Sequence, residues 1–324
     1  MEQHTMKNIA VVTGGSAAER SISLKSADVV CKHLDKTKFT PYKVVINEHE
    51  WIVESNGSTV GSIDKNNFEA TVNGNKVVFD KVFVALHGTP AEDGKLQGYF
   101  DLLNIPYNCC GVLQAALTFD KYRCKEYLQN YNVKTARSKV FRAGESSDFE
   151  ISFGYPAFVK PNKNGSSYGA SKIDNHTQLH SAIQEAFKYD NEVIVEEYLK
   201  GTEVTCGVIQ INGKATALPL TEIRSKNNFF DFQAKYEGAS QEITPAEISE
   251  ELTQNIQQTS VAIYNALGMK GMCRIDFIIK ENTHYMLEVN SVPGLSEESL
   301  IPQQARAFGL SLPELFSLSL DNAH

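Results

Sequence analysis

Short apolar runs alternate with longer stretches of helical periodicity from the start of the chain. Lys7-Asn-Ile-Ala-Val-Val-Thr13 is apolar and opens onto Gly14-Gly15. A helix is expected at about Ile22–Leu34, then strands at Tyr42–Ile46 and Val82–Gly88. Strands alternating with helices predict a parallel α/β unit whose ligands sit at the carboxyl ends of its strands. Trp51–Phe79, rich in Asn and Gly with weak alternation, reads as a hairpin insertion of little functional weight.

A second unit follows an expected helix at about Leu113–Gln129, which carries Asp120-Lys121. It comprises a strand at Tyr155–Pro161, a glycine- and serine-rich loop at Asn162–Gly169, a helix at Thr177–Lys188 and a strand at Glu192–Glu197. A third unit has strands at Glu203–Gln210 and Ala215–Glu222, then a polar, aromatic-bearing loop at Arg224–Gln241. A long helix at Ala246–Leu267, a hairpin at Arg274–Asn290 and a helix-poor tail complete it. A length of 324 residues suits two or three such units.

Charge removes some partners. Lys plus Arg is 31 and Asp plus Glu is 39, a net −8 without a basic stripe, so nucleic acid is not expected. No apolar run reaches the ~20 residues of a membrane span. Met1–Lys7 lacks a signal peptide's apolar core, and Met6 is an equivalent start, so Met1–Thr5 stay outside the fold expectation. The six cysteines show no CxxC or zinc spacing and read as reduced thiols of a cytoplasmic protein.

The hairpin carries the strongest chemistry. With its turn centred on Asn282, paired positions sum to 564, so Asp276 faces Glu288 and Arg274 faces Asn290. All four then share one face, while Ile275, Phe277, Ile279, Leu287 and Val289 share the other. Two carboxylates about 5 Å apart repel unless a cation bridges them. Oxygen ligands alone favour Mg²⁺ completed by phosphate oxygens, and Arg274 beside them suits a transferring phosphoryl group. The competing reading is a solvated face with cross-strand ion pairs, which a one-residue slip would make correct.

Lys160, at the end of its strand, precedes Gly165-Ser166-Ser167-Tyr168-Gly169, a loop able to offer successive N–H groups to a phosphate. It is not GxxxxGK[ST]. Glu192–Glu203 places acids after an apolar strand, where backbone and carboxylate could hold adenine and ribose; a strand with a polar loop is the plainer description. Gly14-Gly15-Ser16 occupies a dinucleotide-fingerprint position without satisfying GxGxxG, which argues against a dehydrogenase.

Together these segments resemble the D-alanine–D-alanine ligase family of the ATP-grasp superfamily, from about Lys7 to Phe316. The residues carrying the resemblance begin with Gly14–Ser23, Leu86-His87-Gly88, Glu92-Asp93-Gly94 and Asp120-Lys121. Further along come Val159-Lys160-Pro, Gly165–Ser167, Glu196–Leu199, Phe230–Tyr236 and Arg274-Ile-Asp276. Glu288-Val-Asn290, Pro293-Gly294-Leu295 and Ser299-Leu300 complete the set. Ala91 and Cys273 are mild departures.

The resemblance implies a three-domain α/β ATP-grasp architecture with an N-terminal Rossmann-like unit. Its divisions would be residues 1–109, 110–196 and 197–324, with a lid at 224–241. It implies ATP and Mg²⁺, with Mn²⁺ as substitute and K⁺ as activator compatible, D-alanine as substrate, and a homodimer. Asp276, Glu288 and Asn290 match the metal ligands. Lys121, Lys160, Ser167, Glu196, Glu197, Leu199, Glu203 and Lys235 match the ATP contacts. Glu19 would bind the first ammonium, with Ser166 and Tyr236 completing its hydrogen-bonded set. Arg274 and the Gly294 N–H would stabilise an oxyanion, Ser299 and Leu300 would take the second carboxylate, and His87 lies near that end. Tyr236 implies D-alanine as acceptor rather than D-lactate. Another ATP-grasp dipeptide or depsipeptide ligase is the alternative, and a non-catalytic nucleotide-binding module is the alternative from another class.

Overall fold

The computed structural model describes residues 6–15, 19–145, 150–163, 165, 168–225 and 240–324, and structural statements concern these. β1 (Lys7–Gly14) lies between parallel β2 (Phe39–Ile46) and β7 (Lys81–Val84). The fully buried run Ile9–Val12 is what a strand covered on both faces requires. Helix α1 (Arg20–His33) packs against β1.

The Trp51–Phe79 stretch is not a single hairpin. It supplies β3 (Trp51–Ser55), β4 (Ser58–Asp64), β5 (Glu69–Val72) and β6 (Asn75–Val77). These extend the sheet antiparallel from β2 to give seven strands. Few residues anchor them: Phe68, 1% exposed, packs edge-on against Trp51, Tyr99 and Phe100. The last two lie on or beside α2 (Lys95–Leu103), so long-range aromatic packing replaces strand periodicity.

The helix expected at Leu113–Gln129 is two, α3 (Val112–Phe119) and α4 (Lys121–Gln129). Asp120 is extended (φ −86°, ψ 94°), and its carboxylate accepts the Arg123 N–H, so it ends one helix and caps the next.

β8 (Ser138–Arg142), β9 (Ala157–Pro161), β10 (Ser171–Ile173) and β11 (Glu192–Glu197) form an antiparallel sheet. Helix α5 (Leu179–Ala186) covers it through Leu179, Ala182, Ile183 and Ala186, the i, i+3, i+4, i+7 stripe. A third sheet holds β12 (Thr202–Ile211), β13 (Lys214–Ala217), β14 (Thr221–Ser225), β15 (Ser240–Ile243), β16 (Cys273–Lys280) and β17 (Thr283–Asn290). The expected strand Ala215–Glu222 is thus divided between β13 and β14. Helix α6 (Glu250–Leu267) starts later than expected because the Ser249 hydroxyl caps it, accepting the Leu252 N–H.

The tail is helical, against expectation: α7 (Leu300–Phe308) and α8 (Leu312–Asp321). Pro302 and Pro313 fall in first turns, where N–H groups have no intrahelical partner. Ser311 and Glu314 form a capping box. Leu312, Leu315, Phe316 and Leu320 join one core with Ile9, Val11 and Phe83, so the chain end packs on the N-terminal sheet. No described helix is long and apolar enough to cross a membrane.

Candidate active site

The β16–β17 hairpin reaches its register by two compensating features. Glu281 and Asn282, at φ 50° and 61°, make a two-residue turn, so Lys280 pairs with Thr283 and Phe277 with Met286. Positions there sum to 563 rather than 564. A bulge beyond Asp276 inserts Leu287 and restores Asp276↔Glu288 and Arg274↔Asn290. Met286, 1% exposed, therefore takes the buried place opposite Phe277 that was expected of Leu287.

The Asp276 carboxylate is 10% exposed and fully engaged. Arg274 donates from Nε and Nη2 at 2.8 Å each, Thr205 Oγ1 donates at 2.6 Å, and Asn290 Nδ2 donates at 3.0 Å. Lys121 Nζ lies 3.6 Å from Glu288 Oε2. The opposed acids are thus neutralised by two protein cations. Among the described residues no three His, Cys, Asp or Glu side chains converge as a metal cage. The donor set that does converge is two carboxylates and an amide. Because the Asn290 nitrogen serves Asp276, its carbonyl oxygen is the atom left for a cation, and all-oxygen donors of this kind fit Mg²⁺.

Lys121 opens α4, whose start is tied to the turn after β9: Asn162 Oδ1 accepts the Tyr122 N–H and Asn162 Nδ2 donates to Asp120, both at 2.8 Å. Lys160 sits diagonally across β9–β11 from Glu196, with Nζ 2.8 Å from Oε2. Sequence reasoning missed Lys125, 1% exposed, which pairs with Glu196 Oε1. Its only signal was its place four residues after Lys121 on a helix. Burial alone would raise the Glu196 pKa, but the two lysines overrule it and hold the carboxyl at about 2. Burial pushes the Lys125 ammonium down. The Glu196 side chain, expected at the adenine hinge, is therefore committed to lysines. Glu197 accepts from Arg137 at 2.8 Å, Leu199 is buried, and Glu203, the second residue of β12, pairs with Ile278.

A cleft of about 550 Å³ brings together Glu19, His87, Lys121, Arg274, Glu288, Asn290, Gly294, Ser299 and Leu300, drawn from all parts of the chain. Lys160, Glu196, Glu197, Leu199, Glu203 and Asp276 lie outside its lining. Gly165 approaches Glu19 so closely that a Cβ there would stand 2.5 Å from Oε1 and would displace that carboxylate. Ser299 occupies the N-cap position of α7 without a side-chain capping bond, its hydroxyl lying 2.7 Å from that of Ser296. At the mouth of that helix, unpaired N–H groups such as that of Leu300 suit a carboxylate.

His87, expected to face substrate, uses both ring nitrogens inside the protein: Nδ1 is 2.8 Å from the Val292 carbonyl oxygen and Nε2 is 2.9 Å from Ser26 Oγ. Burial lowers its pKa. Glu92, part of a quoted motif but given no role, also lines the cleft. Burial and then Glu19 push its carboxyl up to about 8. Ser166, Ser167, Lys235, Tyr236 and most of the expected lid lie outside the described residues.

Comparison with known proteins agrees over almost the whole chain. A family profile described as "D-ala D-ala ligase N-terminus" matches residues 8–110, and one described as "D-ala D-ala ligase C-terminus" matches 128–320. A D-alanine–D-alanine ligase of Flavobacterium johnsoniae is 49% identical over 319 residues, 98% of this chain and 99% of the relative. Among solved structures, the VanG D-Ala:D-Ser ligase from Enterococcus faecalis superposes with a TM-score of 0.87 at 30% identity, covering 98% of this chain and 99% of that one. The D-alanine–D-alanine ligase from Bacillus anthracis complexed with ATP gives 0.79 at 27% identity, over 98% and 97%.

Proposed function

We propose a division of labour for this cleft on one premise: the chain belongs to the D-alanine–D-alanine ligase family and joins two D-alanines at the expense of ATP. In that reaction the first carboxylate attacks the ATP γ-phosphorus to give an acyl phosphate and ADP. The second amine then attacks the acyl carbon, loses a proton, and inorganic phosphate departs.

The carrying observation is the bulge-corrected hairpin, which sets Arg274, Asp276, Glu288 and Asn290 on one face of β16–β17. Asp276, Glu288 and Asn290 would hold Mg²⁺. When bound, the ion would neutralise phosphate charge and supply Lewis acidity. Lys121 and Lys160, ion-paired to Glu288 and Glu196, would meet the phosphate oxygens. Glu197, Leu199 and Glu203 take the nucleoside end, Glu196 contributing through its backbone. Lys235 and Ser167 complete the phosphate contacts.

Glu19 receives the first ammonium, with Ser166 and Tyr236 beside it. Arg274 and the Gly294 N–H meet the oxyanion that develops on the acyl carbon. Ser299 and the Leu300 N–H receive the second carboxylate at the start of α7, and the 224–241 segment excludes water from the acyl phosphate. The same reading includes a homodimer and a cytoplasmic location, which light scattering and cell fractionation test.

ADP release with ATP and Mg²⁺, with and without D-alanine, tests the reaction when dipeptide is followed by mass. D-alanine-dependent ADP matched by D-alanyl-D-alanine is expected. ADP release without dipeptide, or dipeptide formed only with another acceptor, overturns the substrate assignment.

A further inference from the structure

A buried hydrogen-bonded chain links the two ends of the cleft, and each proton in it can be assigned. The Val292 carbonyl oxygen, 2.8 Å from His87 Nδ1, can only accept, so Nδ1 carries the proton. Nε2 of the neutral ring is then an acceptor and receives the Ser26 hydroxyl proton at 2.9 Å. Ser26 Oγ in turn accepts the Leu295 N–H at 3.1 Å. On the other side, the His87 backbone N–H donates to Ser23 Oγ at 3.0 Å, and that hydroxyl donates to the Glu19 carbonyl at 3.1 Å. Ser23, Ser26 and His87 are 0%, 0% and 5% exposed, so water does not compete for these bonds.

The chain grips the backbone at residue 292 and again at residue 295, the two sides of Gly294. Its far end is Glu19, the residue assigned to the first ammonium. We infer that Ser23, Ser26 and His87 are positioning residues that hold Glu19 and the 292–295 loop in one register. They thereby aim the Gly294 N–H at the point where the oxyanion forms. The inference rests on the reading of Gly294 as an oxyanion donor. None of the three touches the reacting atoms in this scheme. A buried serine and histidine, each with its polar atoms committed to backbone and to one another, have no further atom to spend on substrate.

Donor placement matters only when negative charge develops, so the signature is selective loss of transition-state binding. Ser26→Ala orphans both the Leu295 N–H and His87 Nε2, while His87→Asn can keep a donor toward Val292 but loses the acceptor for Ser26. For each purified variant, kcat for dipeptide synthesis, the KM for ATP, thermal unfolding, and the affinity of a phosphinate dipeptide mimicking the tetrahedral intermediate would be measured.

The expected result for Ser26→Ala is a fall of about 10- to 100-fold in both kcat and phosphinate affinity, with the KM for ATP within about twofold. His87→Asn should fall less. Folded variants that keep kcat and phosphinate affinity and lose only melting temperature would overturn the positioning role. Replacing the Gly294 amide by an ester, through glycolic acid incorporation, separates the two layers. If the ester keeps phosphinate affinity, the Gly294 reading fails. If the ester loses affinity and Ser26→Ala does not, Gly294 stands and the positioning chain fails.

Discussion

Two carboxylate clusters in this protein use similar charges for opposite ends. At Glu196, one lysine and the acid are enclosed together, with Lys125 1% and Glu196 4% exposed at the side chain, while Lys160 is 14% exposed. At Asp276 and Glu288, the acids are 10% and 22% exposed, and their partners Arg274 and Lys121 border the cleft. Removing water makes an ion pair costly to break and unable to exchange partners. Keeping part of the pair accessible lets a ligand take over the partner's role. In the reading proposed above, the first cluster is scaffold holding Lys160, and the second is a site whose internal cations would yield to a metal ion and phosphate.

The contrast is sharpest in activity. Glu288→Ala should lower ligation by about 10³-fold or more, the scale of lost charge stabilisation at a reacting group. Its melting temperature should change little, since Lys121 can turn toward solvent. An ADP-release assay beside a thermal melt checks both. Near-normal activity would refute the role proposed for Glu288.

A stability effect should come next, at the other cluster. Lys125→Met leaves Glu196 buried with one partner fewer and should cost about 3–5 kcal/mol in urea unfolding. A loss below about 1 kcal/mol would erase the distinction between scaffold and site.

The smallest effects concern pH, and their signs differ. Glu196 titrates at about 2 rather than 4.5, so its contribution is complete above about 4.5 and fades as pH falls toward 2. Glu92 titrates at about 8 rather than 4.5, so its contribution is complete below about 4.5 and fades as pH rises through 8. Glu92→Gln should therefore flatten the loss of stability between about pH 4.5 and 8 only. Unfolding free energies measured across that range test the sign; an unchanged slope between about pH 4.5 and 8 would show that Glu92 is not the titrating group.

The hairpin shows how far the sequence could be read. Alternation of polar and apolar residues was legible because a strand repeats every two positions. It located Arg274, Asp276, Glu288 and Asn290 on one face. The turn, however, is one half-step away from the assumed centre, and Leu287 bulges out to compensate. No local pattern announces that bulge, because burial of Met286 against the core decides it. Tail helices α7 and α8 were missed for a similar reason: they are held by the N-terminal sheet, hundreds of residues away in sequence.

Sequence by itself determined the α/β class, the resemblance to the ligase family, the acid pair on the hairpin, and the glycine and lysine positions near it. These depend on residue type, periodicity and spacing, which are local. Tertiary structure alone decided that Lys125 is buried against Glu196, that Glu92 lines the cleft, and that His87 serves Ser26 and Val292. Each of those facts pairs residues 61 to 205 positions apart or depends on exclusion of water. The free energy of a polar group is set by what surrounds it, and only the folded chain specifies those surroundings.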